Sequence, residues 1–276
     1  MDIGVVSRNF PELSIEEVAS LIADNGFKWV ELSLLHTDAN YWRFNGRSDL
    51  SDMTNARMAK IVKTFTNKGV EVPAMAVYTN LIEPDDDERK ENLKYFERHM
   101  QYAADNGIAT LATECGYDRK DRGIAPDNYE PRFDRLVDSF KWLCEKAERY
   151  DVNIALEPTV IDLVRSAKRC KDFIKQVGSP KATVLIDPAN LITNSDEEDI
   201  FKYLKDDVVY FHGKDRKVND IGGRILGEGE INWPLFLSLY HKHCDGMPFI
   251  LEYVNKNNLC EIRDRLLAYD KLALQL

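Results

Sequence analysis

Cysteine, histidine and cations are all in short supply in this chain. Its five cysteines (Cys115, Cys144, Cys170, Cys244, Cys260) stand far apart, odd in number and without a Cys-x-x-Cys pair, which argues against a disulfide framework or a thiolate metal site. Lysine and arginine number 37 against 47 aspartates and glutamates, a formal net charge of −10. Such a surface repels phosphate backbones on average, so nucleic acid is not an expected partner. No apolar run approaches the roughly 20 residues that span a bilayer, and the start, Met1-Asp-Ile-Gly-Val-Val, enters a strand pattern with no signal-like segment. A cytoplasmic protein with no membrane partner is expected. No linker rich in Pro, Gly or Ser divides the chain, and Leu226-Gly-Glu-Gly-Glu lacks the Gly-x-Gly-x-x-Gly order of a dinucleotide site. These absences leave one domain, residues 1–276, suited to a small-molecule substrate.

What is present is an alternation of short apolar runs with longer amphipathic ones, the α/β signature. Strands are predicted over Ile3 to Ser7, Trp29 to Ser33, Val72 to Tyr78, Thr110 to Glu114, Asn153 to Glu157, Thr183 to Asp187, Val208 to His212 and Phe249 to Glu252. Between them run helix patterns. The first opens on a capping box, Ser14 with Glu17 three residues on, and stops at Gly26. The others cover Met53 to Lys68, Glu88 to Asn106, Arg132 to Tyr150, Ala167 to Val177, Asp199 to Leu204, Pro234 to His243 and Leu259 to Leu274. Eight such pairs close most naturally into a (β/α)8 TIM barrel, although a doubly wound open sheet gives the same alternation over part of the chain. Two long loops, Leu34 to Ser51 and Gly116 to Glu130, follow strands and so belong on the face where a barrel keeps its active site. Trp42, Arg43 and Arg47 of the first are possible ligand contacts.

The last four strands each run out into one metal-compatible side chain: Glu157, Asp187, His212 and Glu252. Singly, each has a plain explanation, a salt bridge, a helix cap or a core histidine. As a set on neighbouring barrel strands they converge, and burying several carboxylates without a cation is costly. Three carboxylates and one imidazole suit an octahedral divalent cation such as Mn²⁺, Mg²⁺ or Co²⁺ better than a structural zinc, with Zn²⁺ kept as a further option. After His212 come Lys214, Arg216 and Lys217, with Arg224 further on, cations suited to a sugar phosphate or a carboxylate. Glu31 and Glu114 end the second and fourth strands and are candidate hydroxyl acceptors of the same pocket.

The runs Ala155-Leu-Glu-Pro, Leu185-Ile-Asp-Pro-Ala-Asn, Phe211-His-Gly-Lys-Asp, Leu226-Gly-Glu-Gly-Glu-Ile-Asn-Trp and Ile250-Leu-Glu-Tyr occur in that order. In them the chain resembles the xylose isomerase-like barrel superfamily, in particular the sugar phosphate isomerase/epimerase group that includes the D-tagatose and D-psicose 3-epimerases. The resemblance implies a divalent metal held by Glu157, Asp187, His212 and Glu252. It also implies proton transfer through a metal-stabilised enediolate, with Glu157 and Glu252 as the catalytic pair on opposite faces of a sugar or sugar phosphate. Where the 3-epimerases carry a substrate-binding His three residues after the Asp ligand, this chain has Asn190, which together with Lys214 and Arg216 is assigned to substrate binding. Five histidines are too few for the three-metal DNA-repair relatives of this barrel. Two alternatives stay open: a metal-dependent dehydratase of an inositol or dehydroshikimate-type substrate, and a non-catalytic sugar-binding barrel. A homo-oligomer is also left open.

Overall fold

In a computed structural model, which describes residues 1–117 and 127–276, the eight strand candidates close into one parallel barrel. Its strands, in chain order, are Gly4–Val6, Trp29–Leu32, Glu71–Ala76, Thr110–Thr113, Asn153–Leu156, Ala182–Ile186, Val208–Gly213 and Phe249–Leu251, and the first pairs with the last. Each strand is followed by a helix: Ile15–Asp24, Asn55–Thr66, Asp86–Asp105, Tyr129–Tyr150, Ala167–Val177, Glu197–Leu204, Trp233–Cys244 and Leu259–Ala273. No described helix is long and apolar enough to cross a membrane.

Helix starts follow cap chemistry. Ser14 and Glu17 make the expected capping box, each side chain bonding the other's backbone N–H. The third helix begins two residues ahead of expectation because the Asp85 side chain accepts from the N–H groups of Asp87 and Glu88. The sixth does so because Asp196 caps the N–H of Asp199. Two features are additional to the expected pattern. A hairpin of two-residue strands, Leu35–His36 with Ala39–Asn40, folds inside the first long loop, and a single helical turn, Pro188–Leu191, follows the sixth strand.

Two layers of core hold the barrel. The larger lies between helices and sheet; the smaller fills the barrel itself with one side chain per strand: Val6, Trp29, Ala74, Ala112, Ala155, Leu185, Tyr210 and Ile250. Three consecutive strands contribute only alanine, and the Trp29 and Tyr210 rings take up the volume, the large-against-small filling that a barrel interior requires. Gly4 belongs to the same fit, since a Cβ there would lie 2.6 Å from the Trp29 carbonyl oxygen. Strand side chains repeat on one face every two residues. Two positions beyond this plug, at the carboxyl end, the inward layer therefore reads Arg8, Glu31, Ala76, Glu114, Glu157, Asp187, His212 and Glu252. The apolar plug is the floor of a site whose wall is almost wholly charged.

Candidate active site

Glu157, Asp187, His212 and Glu252 are all buried, and each offers a ligand atom within 4.8 Å of the other three. Hydrogen bonds aim each one. Glu157 accepts from the Tyr78 hydroxyl (3.0 Å) on one oxygen and from Asn190 Nδ2 (2.9 Å) on the other. Asp187 divides its oxygens between both readings of its sequence position. Oδ1 accepts the Ala189 N–H (3.0 Å) as cap of the one-turn helix, while Oδ2 turns toward the quartet. Glu252 Oε1 accepts from Arg8, and its Oε2 accepts from Lys214 Nζ at 2.6 Å. His212 places Nε2 2.6 Å from Glu31 Oε2 and turns Nδ1 inward, 3.5 Å from Glu157 and 3.8 Å from Glu252.

Two buried polar atoms of the quartet have no hydrogen-bond partner among the described residues, His212 Nδ1 and Asp187 Oδ2. The latter is in ion-pair contact with Lys214 (2.7 Å) without hydrogen-bond alignment. Buried polar groups are normally satisfied, and both orphans point into the space that the four ligands enclose. Three carboxylates and an imidazole nitrogen fit a divalent cation.

Lys214 brings positive charge into the quartet. Its ammonium touches Asp187 and Glu252 and lies 3.7 Å from Glu157. Burial pushes the Asp187 carboxyl up to about 6 against the pull of this lysine. For Glu157 and Glu252 burial acts in the same direction but is outweighed, by Lys214 and His212 in the first case and by Lys214 and Arg8 in the second, so both are held below the usual carboxylate range. Glu114 is pushed well up by burial and by Glu157.

The structure brings all seven expected site residues to one region. Asn190 faces Glu157. Lys214 sits with its ammonium among the carboxylates. Arg216 is buried and bonded to main-chain oxygens, with Nε donating to the Ala189 carbonyl (2.6 Å) and Nη1 to those of Asp220 (2.9 Å) and Ile221. It thereby ties the turn after the sixth strand to the loop after the seventh. Of the outer cations of that loop, Lys217 is exposed and Arg224 pairs with Asp220. A cavity of about 200 Å³ opens beside the quartet, lined by Phe44, Glu114, Asn190, Lys214, Arg216 and Tyr253 among others. From the first long loop, Phe44 reaches this cavity and Trp42 packs over Arg8, whereas Arg47 is bound to Glu88 and Asn92, lining a different hollow. Of the second, Tyr117 lines the cavity, and residues 118–126 lie outside the described part.

Arg8 and Tyr78 escaped sequence reasoning. The Arg8 guanidinium bonds Glu31 and Glu252 and lies against both the Trp42 and the Tyr78 ring, 5.6 and 5.4 Å from their centroids. The signal that could have found it is strand periodicity, since Arg8 follows the inward Val6 by two. Tyr78 is inward by the same rule from Ala74 and Ala76.

A family profile described as xylose isomerase-like TIM barrel matches residues 19–272. The L-ribulose-5-phosphate 3-epimerase UlaE of Shigella flexneri is 26% identical over 215 residues, 75% of this chain and 71% of that one. Among solved structures, D-psicose 3-epimerase from Clostridium cellulolyticum has a TM-score of 0.76 at 16% identity, with 99% of each chain covered. The IOLI protein, solved with a zinc atom bound, has a TM-score of 0.77 at 15% identity, covering 100% of this chain and 99% of that one. At such identities the two structures speak for the fold alone. The extent of the profile match decides the kinship: the chain belongs to the xylose isomerase-like TIM barrel family.

Proposed function

We propose that this protein is a divalent-metal-dependent epimerase or isomerase of a ketose or ketose phosphate. The observation that carries the reading is the pairing of Glu157 and Glu252, two buried glutamates that share one candidate cation site and are each held by a different set of donors. The relative from Shigella is named as a 3-epimerase, which supports a reaction at the carbon beside a ketose carbonyl.

Glu157, Asp187, His212 through Nδ1, and Glu252 are the residues that would hold the cation, with Mn²⁺, Mg²⁺ or Co²⁺ suited to the donor set. When bound it supplies Lewis-acid stabilisation of negative charge developing at a carbonyl oxygen. The remaining work falls to the side chains. Glu157 is held by two neutral donors, Tyr78 and Asn190, and Glu252 by two cations, Arg8 and Lys214, so Glu157 is the more basic of the pair and the better acceptor of a carbon-bound proton. Glu252 is placed to exchange a proton from its own side of the site. Asn190 both donates to Glu157 and lines the cavity, where its amide can recognise a substrate hydroxyl. The apolar floor of Leu185, Tyr210 and Ile250 lies beneath the reacting groups and keeps water from approaching from inside the barrel.

The test is incubation with free and phosphorylated ketopentoses and ketohexoses in D₂O with Mn²⁺. The reading predicts deuterium at the carbon next to the carbonyl, together with the epimeric or isomeric sugar. No exchange with any of them would remove it. Loss of water to give an ultraviolet-absorbing product would place the chain with the dehydratases instead.

A further inference from the structure

The half of the barrel that offers no candidate ligand carries a buried glutamate that the proposed chemistry leaves unexplained. Glu31, on the second strand, is fully buried, yet it is neither part of the quartet nor a lining residue of the cavity. Its two oxygens meet three polar groups. Arg8 Nη1 donates to Oε1 (3.2 Å), and the Tyr210 hydroxyl donates to Oε2 (2.7 Å), the same oxygen that lies 2.6 Å from His212 Nε2. We infer that Glu31 is a positioning residue that fixes the tautomer and ring orientation of His212, so that Nδ1 presents its lone pair to the metal. The assignment rests on the reading of the quartet as a cation site.

An oxygen already accepting from Tyr210 can lie 2.6 Å from a ring nitrogen only if that nitrogen carries the hydrogen, because two facing lone pairs repel. With Nε2 protonated, the neutral ring that a metal ligates has its lone pair on Nδ1, the ring atom without a hydrogen-bond partner among the described residues, which faces Glu157 and Glu252. A ring flip would point a C–H at the quartet and leave Glu31 Oε2 without its second donor. Arg8 completes the device by anchoring the other oxygen of Glu31 while it also holds Glu252, so two of the four ligands are braced through one Arg8–Glu31 pair. Partners of this kind, one layer behind a metal ligand, typically change metal affinity by about 10–100-fold when removed.

Two variants separate this role from space-filling. Glu31→Leu keeps the bulk and removes both acceptors. Glu31→Gln keeps one carbonyl oxygen for Tyr210 and His212 but turns an N–H toward Arg8. Calorimetric titration with Mn²⁺ alone should show affinity about 100-fold weaker for Glu31→Leu and about 10-fold weaker for Glu31→Gln. With only five histidines in the chain, ¹⁵N-imidazole NMR of the Zn²⁺-loaded wild type should resolve His212 with its proton on Nε2 and metal on Nδ1. The Leu variant should lose that single signature. Should Glu31→Leu not fold, the Gln variant and the wild-type spectrum decide. Affinities within about twofold of wild type, or zinc on Nε2 of wild-type His212, would overturn the assignment. Because the titration uses metal alone, a chain that binds Mn²⁺ but epimerises no sugar removes the proposed reaction and leaves Glu31 to be judged by the same affinities. A wild type that binds no Mn²⁺ removes both.

Discussion

Replacing Lys214 with methionine takes away the ammonium that sits among three buried carboxylates and keeps an unbranched side chain of similar length. That Nζ lies 2.6 Å from Glu252 Oε2, 2.7 Å from Asp187 Oδ2 and 3.7 Å from Glu157 Oε1, on a side chain only 8% exposed. Removing one partner of a buried ion pair costs about 3–5 kcal/mol, because the charge left behind is uncompensated. With an unfolding entropy of about 2.1 cal/mol/K per residue, this corresponds in a chain of 276 residues to a melting temperature lower by roughly 5–9 °C for chelator-treated protein. The effect on a cation has the opposite sign. Carboxylates freed from the lysine bind Mn²⁺ more tightly, so saturating Mn²⁺ raises the melting temperature of the variant by more than that of the wild type. Thermal melts followed by circular dichroism, with and without MnCl₂, read both effects. An unchanged melting temperature in chelator together with an unchanged response to Mn²⁺ would refute the view that Lys214 balances the charge of the quartet.

Glu157→Gln and Glu252→Gln are each expected to lower kcat by ~10²–10⁴-fold with a much smaller change in KM, measured on whichever ketose is turned over; full activity in either variant excludes that residue as a proton carrier. His99 gives a pH signature away from the site. Its ring is buried, with its centroid 4.5 Å from that of Tyr95 and 5.8 Å from that of Tyr102, and burial lowers its pKa to about 4. Unfolded it titrates near ~6.5, so protonation favours the unfolded chain. Stability is complete above that pH and falls toward pH 4 by up to about 3 kcal/mol, read as the extra acid sensitivity of wild type over His99→Phe in urea unfolding. Gly116→Ala should destabilise the protein by about 1–3 kcal/mol, since Gly116 has φ +83° and a Cβ there would lie 2.7 Å from Asn80 Cα; a melting temperature equal to wild type contradicts that.

Much of this arrangement is legible in the sequence, for a physical reason. A parallel strand buried on both faces reads as an unbroken apolar run, and the first inward polar residue at its carboxyl end has nowhere to go but the barrel mouth. Glu157, Asp187, His212 and Glu252 stand out on that basis, and their convergence follows from closure of the barrel. Arg8 is harder to see. Its strand is three residues long and passes directly into the turn Ser7–Asn9, so no apolar run announces it. The roles of Lys214 and Arg216 were also hidden, because a basic loop in an acidic protein looks solvated until the fold turns one cation onto carboxylates and the other onto main-chain carbonyls. Glu31 was visible as a strand-end acid. Its partner His212 is 181 residues away in sequence and comes to it only across the closed barrel.

The position of a bound metal tests the proposed site most directly. Anomalous diffraction from a crystal soaked in MnCl₂ should give one strong peak at the barrel mouth, about 2.0–2.3 Å from oxygens of Glu157, Asp187 and Glu252 and from Nδ1 of His212. A peak elsewhere, or no peak while Lys214 keeps its place on Asp187 and Glu252, would contradict it.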